Sequence, residues 1–86
     1  MSVYVDNLRE YPYKVKGHFK WCHLVADSFS ELVGFSQKLG LSYSWLQNEN
    51  YPHFDLTEGM RIKAVKMGAI EITDKELVDL IRKDKK

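Results

Sequence analysis

The chain has almost no means of cross-linking itself and no surplus of charge. Cys22 is its only cysteine, so neither an intrachain disulfide nor a cysteine-based zinc site forms within one chain. Lys and Arg number 13 against 12 Asp and Glu, a net charge of +1. That balance excludes a broad phosphate-binding face, which needs clustered Lys and Arg in excess. No apolar run reaches the length of a signal-peptide core or a membrane span, which places the chain in a cytosol, its own or a host's. A Gly-rich phosphate loop, a nucleophile elbow and a His-Glu-x-x-His helix are all missing. No reaction is therefore announced by a local motif.

What is present is ordinary for a folded chain. Apolar residues make up 44% and charged residues 29% of 86 residues, close to globular averages. The length allows one domain, residues 1–86, with 83–86 as a frayed tail. A domain of this size buries roughly 60% of its unfolded surface, so its core is marginal but sufficient.

Val3-Tyr4-Val5 reads as a short strand ending near Asp6. Asn7 to Lys20 holds Pro12 and Gly17 and reads as a loop or an irregular hairpin, with a heavy aromatic load in Tyr11, Tyr13 and Phe19. Trp21 to Ala26 is a second strand. Ser28 and Glu31 have capping-box spacing, so a helix starts near Asp27 or Ser28 and stops at Gly40. Leu41 to Leu46 alternates and reads as a third strand. Thr57 caps a second helix that Gly68 ends. Ile70 and Ile72 make a fourth strand, and Thr73 with Glu76 caps a last helix. The order β-β-α-β-α-β-α predicts a small α/β domain: a four-stranded mixed sheet flanked by three helices.

Ligands of open α/β sheets sit beyond the carboxyl ends of strands. Asp6, Asp27 and Gln47 fall at three such ends. They converge if the first strands are parallel; if those strands form a hairpin, Asp6 lies opposite Asp27. Asp27 also suits a helix cap, and His23 alternates with Trp21 and Val25 as a core His would. His53 and Asp55 share one face of an extended segment. They suit either a His oriented by its carboxylate neighbour or a metal site with a third ligand. Arg61, one turn into the second helix, has a guanidinium fork that matches a phosphate or carboxylate. Trp21 and Trp45 offer walls on which a flat ring can stack. Cys22 reads as a small buried hydrophobe, and as a strand neighbour of His23 it points to the opposite face.

Taken together, Val-Tyr-Val-Asp, Trp-Cys-His-Leu-Val-Ala-Asp, Ser-Trp-Leu-Gln, His-Phe-Asp-Leu-Thr, Arg61 and Gly68-Ala69 resemble a small bacterial and phage family known only as a domain of unknown function. The resemblance spans roughly residues 2 to 73. It implies a stand-alone cytosolic protein, often phage-carried, with polar motif positions at Asp6, His23, Asp27, Gln47, His53, Asp55 and Arg61. No established activity comes with it. Leu46 and Phe54 depart from the pattern, where relatives are expected to carry an aromatic and a Tyr.

Three functions fit this reading. The first is capture of a nucleotide-like anionic small molecule by Asp6, Trp21, His23, Asp27, Trp45, Gln47, His53, Asp55 and Arg61, with no cofactor. The second is a metal-assisted hydrolase or phosphodiesterase, with His23, His53 and Asp55 as alternative metal ligands. The third is a protein-interaction module docking through Tyr11 to Phe19. Many aromatics on a marginal core predict a homo-oligomer, most simply a two-fold dimer.

Overall fold

Strand β3, His18–Ala26, organises the molecule, because three other strands lean on it. The computed structural model describes residues 2–48 and 51–84. Along one edge of β3 run two strands in succession. First β1, Val3–Val5, pairs antiparallel with residues 24–26; then β2, Arg9–Val15, pairs antiparallel with residues 18–21. Between them the ladder breaks at Asp6-Asn7-Leu8. On the other edge β4, Phe54–Thr57, pairs antiparallel with residues 21–24. Strand β5, Ile70–Glu71, completes the mixed sheet by pairing parallel with β1.

Local chemistry explains the punctuation. The β2–β3 hairpin closes on Lys16 and Gly17, at φ of 51° and 85°, the positive-φ pair that a two-residue hairpin turn requires. Helix α1, Phe29–Leu39, is capped by Ser28, which accepts from the Glu31 amide at 3.2 Å, and it ends at Gly40 in the left-handed region. Helix α2, Glu58–Lys66, is capped by Thr57. Helix α3, Asp74–Asp84, starts from a reciprocal box between Thr73 and Glu76. All three capping residues are legible in the sequence.

Alternation along β3 divides the core. Cys22 and Leu24 face α1 and α2 and pack with Val5, Leu32, Leu39, Phe54, Leu56 and Ala64. Val25 points to the other face, where Ile72, just past β5, and Leu77 of α3 cover it. No helix among the described residues is long and apolar enough to cross a membrane.

The α/β class, mixed sheet and three helices agree with the sequence, but the sheet has five strands and its members differ in three places, β2 among them. Leu41 to Leu46 is not a strand. Ser42 accepts the Ser44 amide and starts a 3-10 turn, Tyr43–Trp45, which leaves Tyr43 and Trp45 exposed while Leu41 and Leu46 reach the core. A strand lies instead at Phe54–Thr57, directly before α2. Phe54 and Leu56 face inward there and Asp55 and Thr57 outward. In the 7–20 segment the hairpin reading is the right one, with Pro12 on a stretch whose register is irregular, where its missing N–H costs no ladder bond. At the tail, α3 reaches Asp84, and Lys85 and Lys86 lie outside the described residues.

Candidate functional site

Asp6 sits where the β1–β2 edge is interrupted, and it is fully buried. Its side chain repairs the gap. Oδ1 accepts the His23 backbone N–H at 2.6 Å, and Oδ2 lies 2.7 Å from His23 Nδ1. A carboxylate accepts and does not donate, so the proton of the neutral imidazole is on Nδ1 and the lone pair on Nε2. The same contact raises the pKa of His23: the Asp6 hydrogen bond favours the cation and outweighs the opposing effect of burial. Behind Asp6, Arg61 donates from Nε to the Asp6 carbonyl at 2.9 Å and from a terminal nitrogen to Glu71 at 2.9 Å.

His53 arrives from the other side of β3. Its backbone exchanges two hydrogen bonds with Gln47, at 2.9 and 2.8 Å. Its Nδ1 is 3.0 Å from the Tyr51 carbonyl. A carbonyl can only accept, so Nδ1 carries the hydrogen and Nε2 again offers its lone pair when the ring is neutral. The imidazoles of His23 and His53 meet edge to face, with centroids 5.3 Å apart. Asp55 lies opposite His23 in the β3–β4 ladder. Its Oδ1 is 4.0 Å from His23 Nε2 and 3.8 Å from His53 Nε2, while Gln47 Nε2 donates to its Oδ2. One ligand atom from each of His23, His53 and Asp55 falls within 4.8 Å of the other two. Two imidazole nitrogens and one carboxylate oxygen make a donor set suited to a transition metal.

A cleft of about 880 Å³ opens beside this cluster. Trp21, His23, Trp45, Gln47 and Asp55 line it, with Lys16 and His18 of the hairpin on its lining as well. Trp45 is 53% exposed, a large apolar surface at the wall. Trp21 is half-buried and its indole N–H donates to the His18 carbonyl at 3.2 Å. Cys22 is no nucleophile: burial pushes its thiol up to about 12, which leaves almost no thiolate at neutral pH.

The nine residues picked from the sequence separate into groups. Trp21, His23, Trp45, Gln47 and Asp55 border the cleft, and His53 and Asp6 stand directly against His23. Arg61 supports Asp6 from behind and is not on the cleft lining. Asp27 lies apart. Because β1 and β3 are antiparallel, it accepts from the Ser2 amide at 2.8 Å and the Tyr4 hydroxyl at 3.0 Å at the far end of the sheet. It does not cap α1, since Ser28 does. Four contributors were not among the residues picked from the sequence: Tyr51, which acts through its backbone carbonyl, Glu71, and the hairpin residues Lys16 and His18. The Lys16-Gly17 turn was the one available clue to the last pair.

No curated protein and no solved structure matches the chain. Residues 3–84 match the family described as "Protein of unknown function (DUF4031)", and the chain belongs to that family.

Proposed function

We propose that this member of the DUF4031 family holds a small, flat-ringed, nucleotide-like molecule in the cleft between the β2–β3 hairpin and the 3-10 turn. One observation carries the reading: an exposed indole, Trp45, and a half-buried one, Trp21, border a cleft whose lining also holds His23 and Asp55. Aromatic stacking contributes about 1–3 kcal/mol per base. The anionic part of such a ligand meets Lys16 and His18, because Arg61 is already committed to Asp6 and Glu71. A cytoplasmic setting, phage carriage and sequestration of a host signal belong to the same proposal and rest on the family resemblance. Self-association belongs to it too, through the exposed Tyr13 and Phe19 of the hairpin.

Metal-assisted hydrolysis of an ester or phosphodiester is the second reading. It is favoured by the convergence of His23, His53 and Asp55 beside the cleft. Water would add to the phosphorus or carbonyl carbon, and the alcohol would leave with a proton.

Thermal shift with a panel of nucleotides and cyclic dinucleotides tests the first reading. A ligand at one hundred times its dissociation constant adds about 2.7 kcal/mol, roughly 10 °C or more for a domain this small. The shift should vanish in Trp45→Ala. If no member of the panel moves the melting point, or Trp45→Ala responds like the parent, the reading fails.

A further inference from the structure

We infer that His23 Nε2, His53 Nε2 and Asp55 Oδ1 together hold one divalent transition-metal ion, whose remaining coordination positions face the cleft. The inference goes beyond the ligand reading and stands whether or not an organic molecule occupies the cleft.

Electrostatics supply the first reason. With neutral rings, three acceptor atoms lie within 4.8 Å of one another, and like partial charges crowded in a half-buried site repel unless something positive lies between them. Protons alone do not close the gap. The separations of 4.0 and 3.8 Å to Asp55 Oδ1 exceed the reach of an N–H···O bond. An ion bonded to all three at about 2.0–2.2 Å would draw them to roughly 3–3.5 Å apart. That requires side-chain movements of about an ångström and no change in the β3–β4 ladder.

The supporting groups supply the second reason. A metal-binding His donates its other ring N–H to a carboxylate or carbonyl, which fixes the tautomer and strengthens the ligand. Both imidazoles here do so: His23 to the buried Asp6 at 2.7 Å, and His53 to the Tyr51 carbonyl at 3.0 Å. Asp55 is steadied through its other oxygen by Gln47. The ligands are thus oriented by three different partners, one from the β1–β2 gap and two from the stretch that leads into β4. That degree of orientation is unexplained by a hydrogen-bonded core His, which needs one partner and no converging neighbour.

Donor chemistry sets the class of ion. Two imidazoles select zinc, iron(II), cobalt, nickel or copper over magnesium and calcium, which prefer oxygen. Three protein ligands leave positions free, as open metal sites do. His23 and Asp55 line the cleft and His53 is buried, so those positions face the cleft.

Titration of tag-free protein with Zn²⁺, and with Co²⁺ followed by its visible ligand-field spectrum, tests the inference. One ion per chain should bind. Affinity should fall roughly 100-fold or more in His53→Ala and in Asp55→Asn, the upper end of what losing a group that only orients a ligand costs. Circular dichroism reports whether each variant is folded, and Asp55→Asn, close in size and half-exposed, guards against loss of fold in His53→Ala. Asp27→Asn, at the far end of the sheet, should bind as the parent does. Either of two results overturns the inference: no saturable binding of Zn²⁺ or Co²⁺ at micromolar concentration, or binding that survives both ligand substitutions. Because no organic ligand is used, this outcome is independent of the nucleotide panel.

Discussion

Asp6→Asn separates what the buried carboxylate does for the fold from what it does for His23. The substitution nearly preserves shape. The retained carbonyl oxygen of Asn still accepts the His23 backbone N–H, now bonded to Asp6 at 2.6 Å. The new amide group, however, faces Nδ1 in place of an acceptor and donates to it, so the ring proton moves to Nε2. A hydrogen bond to a charged group, about 1.5–3 kcal/mol, becomes a neutral one of about 0.5–1.5. A buried amide also costs less to desolvate than a buried carboxylate, which trims the difference. The net loss is about 1 kcal/mol, or roughly 4–8 °C in melting temperature for a domain of this size. Metal affinity should drop roughly 10–100-fold, far more than so small a stability change would suggest. Long-range nitrogen–proton NMR of the metal-free protein reads the tautomer, and a melt reads the stability. If His23 keeps its proton on Nδ1 and the melting point is unmoved, the account of Asp6 is wrong.

Other outcomes follow from the same contacts. Arg61→Ala should destabilise the fold by about 1–3 kcal/mol in urea unfolding, because it strands the Asp6 carbonyl now bonded at 2.9 Å; full stability with weakened nucleotide binding would restore Arg61 to the cleft. Phe54→Ala, at a fully buried position, should cost about 3–5 kcal/mol, and a loss under 1 kcal/mol would contradict the packing of β4. The raised pKa of His23 contributes stability that is complete below its ordinary value of about 6.5 and is lost as pH rises through the folded-state value. In EDTA, urea unfolding should therefore show lower stability at pH 8.5 than at pH 6, a slope that His23→Gln removes; a rise over that range would refute it. Cys22, with its thiol near 12, should have roughly one part in ten thousand as thiolate at pH 8. Iodoacetamide should label it only after unfolding, and rapid labelling of the native protein would show the strand is not packed as described.

The sequence revealed the caps and the core periodicity because those are local effects. Ser28, Thr57 and Thr73 cap within a turn of themselves, and Gly40 and Gly68 stop helices through their own backbone freedom. The strand at 54–57 was harder to see. Its alternation lasts four residues, and a long neighbour, β3, supplies most of the reason it is extended. At 41–46 the pattern misled because apolar spacing in Leu41, Tyr43 and Trp45 says nothing about which of them reaches the core; a serine turn decided that. For the site, the residue types were legible and their partners were not. Whether Asp6 meets Asp27 or His23 depends on strand direction, a tertiary fact. The same fact took Arg61 from an anion clamp to a support for Asp6.

The gap between β1 and β2 has a consequence for how the family can vary. An unbroken ladder would transmit any change in hairpin length along the whole edge, shifting the side chains paired with His23. Here a side chain fixes the register at Asp6, and the hairpin beyond it pairs irregularly and ends in its own turn. Insertions or deletions near Lys16 and Gly17 can thus remodel one wall of the cleft while the His23–His53–Asp55 cluster stays in place. The cleft wall and the cluster beneath it are free to evolve at different rates.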